Sequence, residues 1–381
     1  MDCHHFTAGR CRSCSWLPTP YAEQVAAKQQ RCADALAAYA DPHAAVQWAT
    51  PFTGPESGFR NKAKMVVTGT VADPSLGILG DGPDGVDLRD CGIHEAALQR
   101  ALPVLAGFVT RAALTPYDVA TRRGELKLVL VSAAPDGALM VRFVTRSQEP
   151  VTRIRKHLPW LHERLAGLAV VTVNLQPEHK AVVEGPEEIV LSDARALRMD
   201  INGHGLLLRP QSFFQTNTTV AAGLYREATA LAADVAPRTV WDLYCGVGGF
   251  ALHLAGPGRT VIGVESSPEA VASAQDAAAG VPGEVHVEVG DAEAWALGRP
   301  APPDLVVVNP PRRGIGPTLA RWLGASGVPH VLYSSCNPDS LARDLAAMPE
   351  LVPVRARMFD MFPHTDHAEV LVLLVRSGGS S

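Results

Sequence analysis

The rhythm of apolar and polar residues divides the chain into three stretches. An Ala-rich amphipathic run at 21–39 predicts a helix near the N-terminus. From about Thr50 to Asp200 the apolar residues fall into short β-branched or alternating runs separated by turn residues. Those at 65–71, 126–132, 139–145, 170–175 and 181–184 predict strands, and 151–165 predicts one helix among them. Beyond Asp200, the segment 240–250 reads as strand, glycine-rich turn and helix. Further apolar runs at 260–265, 285–289, 304–308, 330–334 and 370–375 predict the remaining strands. Such strands belong to an α/β sheet that gathers ligands at its carboxyl edge.

Composition narrows the class. At 381 residues the chain is long enough for two or three domains. With 47% hydrophobic and 19% charged residues it can offset its ordering entropy, which excludes a disordered chain. No run approaches the roughly 18 apolar residues of a membrane span, and Met1-Asp2-Cys3-His4-His5 does not open a signal peptide. A cytoplasmic protein with no membrane partner is expected. The net charge of −5 argues against a general polyanion binder. Through Asp200, 22 basic residues balance 22 acidic ones; beyond it the counts are 12 and 17. A nucleic acid would therefore be held by local groups. Arg60/Lys62/Lys64 would share one face of a strand, and Arg122/Arg123/Lys127 and Arg153/Arg155/Lys156 form two more clusters. A solvated strand face explains the first group equally well.

The seven cysteines are odd in number, unlike a secreted disulfide scaffold, and three lie in the first 14 residues. Cys3, Cys11 and Cys14 form C-x7-C-x2-C, and the C-x2-C turn brings two thiolates within reach of one metal or cluster. A fourth ligand could be Cys32 or Cys91. Cys32 sits in the predicted 21–39 helix, where a buried free thiol is ordinary; Cys91 follows a polar loop and is the better ligand. Zinc and a 4Fe-4S cluster both accept four thiolates, so spacing alone leaves the group open.

The turn Gly246-Val247-Gly248-Gly249 lacks the third spaced glycine of a dinucleotide site. With Glu265 ending the next strand, it resembles the S-adenosylmethionine site of class I methyltransferases, in which the acid meets the ribose and Asp291 lies where the adenine is contacted. The 304–308 run stops at Asn309-Pro310-Pro311, leaving Asn309 at the carboxyl edge. Arg312 follows where amino-directed methyltransferases carry an aromatic residue, which argues against an exocyclic amine target. Cys336, after the 330–334 strand, is a candidate nucleophile, and Glu369, before an apolar strand, a candidate base. These groups suit methylation of carbon 5 of uracil, in which a thiolate adds at carbon 6 and a base later removes the carbon 5 proton. A paired uracil would have to be flipped out. Cys245 is read as a buried filler, His364 and His367 as pocket-lining or RNA-contacting groups, Gln211 as a neighbour of the substrate edge, and Asp360 as a turn residue.

The runs D-L-Y-C-G-V-G-G at 242–249, N-P-P-R-R-G at 309–314, S-S-C-N-P at 334–338, R-P-Q-S-F-F-Q-T-N at 209–217 and H-A-E-V at 367–370 resemble bacterial RNA uracil-5-methyltransferases. F-R-N-K-A-K-M at 59–65 and the Cys3/Cys11/Cys14/Cys91 spacing extend the resemblance over essentially the whole chain. It implies an N-terminal Fe-S ligand segment (1–50) and a mainly-β α+β RNA-binding domain (51–205) that adds the fourth cysteine. The third part (206–381) would be a seven-stranded, Rossmann-like class I domain dependent on S-adenosylmethionine. The small β-barrel (TRAM) domain that some relatives carry before their cysteines is not expected, since Cys3 stands at the start. The resemblance further implies a 4Fe-4S cluster on Cys3, Cys11, Cys14 and Cys91, and Cys336 as nucleophile with Glu369 as base. Donor contacts would come from Gln215, Tyr244 (where Phe is expected), Gly246, Glu265, Asp291 and Asn309. The implied substrate is uracil 747 of 23S rRNA, modified by a monomer. The alternatives are a tRNA or another rRNA uracil, or a non-catalytic Fe-S RNA-binding protein.

Overall fold

The computed structural model describes residues 1–41, 44–80, 85–180 and 182–378. Their contacts gather into two compact units, Met1–Cys14 with Pro55–Met199, and Ser15–Gly54 with Asp200–Ser381. The expected parts 1–50, 51–205 and 206–381 follow the chain in order, whereas the units interleave, each taking a piece of the first 54 residues.

The first unit is built on a seven-stranded sheet. Its order is Val86–Asp87, Pro74–Ile78, Lys62–Gly69, Leu126–Ala133, Leu139–Thr145, Leu168–Leu175 and Glu187–Val190. All neighbours are antiparallel except Leu139–Thr145 and Leu168–Leu175, which the Val151–Arg164 helix joins as a crossover. A second helix, Ala96–Arg111, escapes the sequence reading because Pro103 and Gly107 interrupt its pattern. The amide that Pro103 lacks costs one bond, and burial of Leu98, Leu102, Leu105, Phe108 and Val109 against the sheet outweighs it. The strand expected at 181–184 is displaced. Residues 182–184 are irregular, Ala181 lies outside the described residues, and the strand begins at Glu187. Gly185 explains the offset, since its amide bonds Asn174 Oδ1 at 2.8 Å and a side chain there would strike the Leu175 carbonyl.

The second unit holds an eight-stranded sheet. Its order is Gln47–Trp48, Leu351–Phe359, Glu369–Arg376, His330–Ser335, Leu305–Val308, Thr239–Leu243, Thr260–Glu265 and Glu284–Val289. Seven strands are those expected of a class I domain. The eighth, Gln47–Trp48, comes from the N-terminal part and adds in parallel to Leu351–Phe359. Only Glu369–Arg376 runs antiparallel to its neighbours. The apolar runs are buried on both faces, with Val306, Val308, Val331, Tyr333, Val370 and Val372 in one core. Strand order reverses at Thr239–Leu243, and the polar residues that follow the parallel strands converge there. Among the described residues no helix is long and apolar enough to cross a membrane.

Candidate active site

The turn after Thr239–Leu243 departs from ordinary backbone at three positions, Tyr244 (φ 67°), Gly246 (φ 55°) and Gly248 (φ 86°). A side chain built at Gly246 would meet nothing within 4 Å, which leaves the backbone open to a ligand at the start of the Gly249–Leu254 helix. Gly246 N donates to Glu265 Oε2 at 3.2 Å, while Glu265 Oε1 accepts from Ser266 Oγ and Ser267 N at 3.0 and 2.8 Å. The carboxylate is fixed by the protein and keeps acceptor capacity for a vicinal diol. Beneath the turn Asp242 is fully buried; Oδ2 accepts from Ala251 N at 2.8 Å and Oδ1 has no hydrogen-bond partner among the described residues. Burial pushes its carboxyl up to about 8. Tyr244 is half-buried, its hydroxyl pushed up to about 12 by burial and by Asp291 and Glu293 nearby. Asp291 is exposed and caps the Ala292–Leu297 helix, with Oδ1 accepting from Ala294 N at 2.9 Å. Gln215 is buried, and Asn309, half-buried, leaves the Leu305–Val308 strand. Cys245 packs among Val271, Ala274 and Val287 as a filler.

Cys336 directly follows the His330–Ser335 strand and precedes the Pro338–Ala346 helix, whose N-cap is Asn337. Burial pushes the thiol up to about 11, and the Glu369 carboxylate adds to the rise, while the Arg312 guanidinium opposes it. Ser335 pairs with Val370 in the antiparallel ladder, so Cys336 and Glu369 stand at the same end of adjacent strands. Glu369 opens its strand opposite Phe359 and is 2% exposed. Burial pushes its carboxyl up to about 7, and the Ser334 hydroxyl, donating to Oε1, holds it from rising further. Asn337 Nδ2 donates to Arg312 O at 3.0 Å and so joins the Cys336 turn to the Asn-Pro-Pro-Arg loop. That loop is pinned from below, because Asp344 Oδ2 accepts from Ile315 N at 2.8 Å and from Tyr333 Oη at 2.6 Å.

Two sequence readings are corrected. Asp360 is no mere turn residue; it is fully buried and paired with Lys28 at 2.6 Å, also fully buried. His364 is buried too, and its backbone N–H donates to Gln24 Oε1 at 2.9 Å, so of the two readings, pocket-lining or RNA-contacting, burial removes the second. His367 is half-buried beside Arg312, at 2.9 Å from Nη2. Phe213, unremarked in the sequence, is 69% exposed two residues before Gln215; the paired phenylalanines in a polar loop were the available signal.

In the first unit Cys3, Cys11, Cys14 and Cys91 line one cavity of about 220 Å³. Burial, then Cys91, Cys11 and Cys3, push the Cys14 thiol up to about 11, as expected where four thiols face one another. His5 Nε2 lies 2.7 Å from Asp90 Oδ1 and ties the turn of Cys3 to the loop of Cys91. Four thiols lining one cavity form a set that suits a cluster or zinc. Cys32 is instead buried in the core of the other unit. The basic groups divide. Arg60 is desolvated beside Cys91 and Cys14, and Lys127 is buried with Nζ donating to Gln176 and to Glu178 O. Lys64, Arg122, Arg123, Arg155 and Lys156 remain exposed.

A glycine turn with an acid on the neighbouring strand, and a thiol and carboxyl at the same sheet edge, define a class I methyltransferase fold. A general methyltransferase-domain model matches residues 240–311, and the tRNA (uracil-5-)-methyltransferase model matches 303–377. The fold is that of a Pyrococcus abyssi tRNA (uracil-54, C5)-methyltransferase solved with S-adenosyl-L-homocysteine (TM-score 0.77, 24% identity, 95% of this chain and 85% of that one). Relatives named 23S rRNA (uracil(747)-C(5))-methyltransferase RlmC are 45% identical in Enterobacter sp. strain 638 and 47% identical in Cronobacter sakazakii and Halothiobacillus neapolitanus. Each match covers 99% of this chain and all of the relative. The chain belongs to this family of uracil-5-methyltransferases.

Proposed function

We propose that the protein methylates carbon 5 of one uracil in 23S rRNA, the position its relatives number 747, using S-adenosylmethionine. The observation that carries the chemistry is the register of Ser335 with Val370, which brings Cys336 and the buried Glu369 to the same end of adjacent strands. The test is mass-spectrometric mapping of 5-methyluridine in 23S rRNA with and without the gene; unmodified rRNA and an added tRNA serve as competing substrates. Loss of the methyl group at that one nucleotide is expected.

The donor supplies a sulfonium methyl when bound. Gly246, Glu265, Gln215, Tyr244, Asp291 and Asn309 would hold it, with Glu265 accepting from its ribose. Cys336, as thiolate, forms a bond to carbon 6, and the electron pair moves to carbon 5 and the carbon 4 carbonyl. Carbon 5 takes the methyl group. The Glu369 carboxylate then removes the carbon 5 proton, and the electrons left behind expel the Cys336 thiolate and restore the 5,6 double bond. The balance is one methyl gained by uracil and one proton released, with the pair of the broken C–S bond kept on the sulfur of the departing thioether. Arg312 favours the thiolate, and the near-neutral Glu369 is matched to a proton transfer at physiological pH. The exposed ring of Phe213 offers a stacking surface for an unpaired base.

Cys3, Cys11, Cys14 and Cys91 would hold a 4Fe-4S cluster. The methyl transfer consumes no electrons, so the cluster's contribution is to bind these segments together. The chain works as a monomer in this reading, with the exposed cations of the first unit on the RNA backbone.

A further inference from the structure

One face of the Tyr21–Ala37 helix is polar where an apolar stripe would be expected. Tyr21, Gln24, Lys28 and Arg31, spaced three, four and three residues apart, share that face, and each bonds the segment 360–366. Tyr21 Oη donates to Asp360 Oδ2 at 2.7 Å, and Lys28 Nζ to Asp360 Oδ1 at 2.6 Å and to Phe362 O at 3.0 Å. Gln24 Oε1 accepts from His364 N at 2.9 Å, and Arg31 Nη1 donates to Asp366 O at 3.3 Å. Gln24 Nε2 also donates to Trp16 O and Thr19 O, at 3.0 and 2.8 Å, so the helix side of the clamp is braced as well.

The clamped segment is the connection between two paired strands. Phe359 and Glu369 face each other in register, and everything between them is irregular, with His364 held at φ 65°. Strand pairing fixes the ends of such a connection but not its interior. A buried Lys–Asp pair is a poor device for stability alone, because apolar residues of similar volume do as well or better. What a pair with specific hydrogen bonds adds is one geometry. The geometry in question is that of the backbone that delivers Glu369.

We infer that Tyr21, Gln24, Lys28 and Arg31 are positioning residues for Glu369, fixing the 360–366 segment so that the carboxylate meets the carbon 5 proton. The inference rests on the reading of Glu369 as base. It locates part of the catalytic apparatus some 340 residues before the residue it serves. Arg31 also reaches Asp339 Oδ2, in the first turn of the helix after Cys336, at 3.3 Å, so Tyr21, Gln24 and Lys28 are the residues that test the last step alone.

The test follows the covalent protein–RNA adduct on denaturing gels, using full-length protein, donor and a transcript of the rRNA target. Glu369→Gln sets the reference, with an adduct that forms and persists. Lys28→Met, Gln24→Leu and Tyr21→Phe are expected to form the adduct at the normal rate and resolve it about tenfold slower, Tyr21→Phe least affected. kcat falls accordingly while KM for RNA changes less than about twofold. If Lys28→Met fails to fold, the two milder variants decide. Folded variants that resolve the adduct at the wild-type rate, while Glu369→Gln traps it, overturn the inference. A Glu369→Gln protein that turns over normally overturns the base assignment, and the inference with it.

Discussion

The Ser334 hydroxyl donates to the Glu369 carboxylate from the neighbouring strand, and both side chains are buried. Burial raises the carboxyl to about 7, and this bond is what opposes the rise. A base must be ionised, so the rate of adduct resolution is expected to climb with pH and level off above about 7. Ser334→Ala removes the opposing bond and should move that limb to higher pH. A limb that stays in place, measured by single-turnover kinetics across pH 5–9, would count against Glu369 as the titrating group.

The same shift carries a cost in stability. A folded-state value of about 7 against 4.5 means the native protein binds more protons between those values, so stability falls as pH rises through the window. Glu369→Gln is expected to be more stable than wild type at pH 8, by about 3 kcal/mol at most, and to lose the advantage below pH ~4.5. Thermal melts at the two pH values check both sign and window.

Arg312 opposes the rise of the Cys336 thiol, which burial and Glu369 push up to about 11. Arg312→Ala should slow adduct formation about tenfold for each further unit of rise, without trapping the adduct. Cys336→Ala should form no adduct at all. Gels resolving protein–RNA conjugates distinguish the two.

Metal content separates the cysteines. Cys14→Ser and Cys91→Ser are expected to lose the visible absorbance of an iron–sulfur cluster together with its iron and sulfide. Cys32→Ser should retain both, at about 1–3 kcal/mol of stability for a buried hydroxyl in an apolar core. Zinc in place of iron in protein purified without air would set the cluster aside.

Glu265 is fixed by Gly246, Ser266 and Ser267 before any ligand arrives. Glu265→Ala should weaken donor binding about tenfold to a hundredfold, the range of a charge-assisted hydrogen bond, as read by calorimetry.

Much of the sheet around the site was legible because its strands are short apolar runs, each ending in a chemically distinctive turn. Asn309 and Cys336 follow such strands directly and Gly246 comes three residues after one, so motif and position coincide. The Lys28–Asp360 pair was not legible. A lysine in an Ala-rich helix reads as a solvated charge, and only contact across 332 positions shows it buried. The Ala96–Arg111 helix was hidden by Pro103, whose local cost outweighs its neighbours in a sequence window but not in a packed core. Loop chemistry separates Cys91 from Cys32 in the sequence; Cys91 lines the cavity of Cys3, Cys11 and Cys14, and Cys32 lies in the core of the other unit.

The eighth strand has a consequence for synthesis. Gln47 and Trp48 pair with Arg355 and Ala356, and Phe52 N donates to Met358 O, across about 300 residues of sequence. At roughly 5–20 residues per second, the early segment waits about 15 to 60 s on the ribosome before its partner strand emerges. Throughout that interval Lys28 has no Asp360 and the Gln47–Trp48 edge has no neighbour. The intervening residues, by contrast, complete most of their own sheet as they appear. Nascent chains stalled before residue 351 should therefore hold a protease-resistant first unit and an open second one, finished only by the final strands.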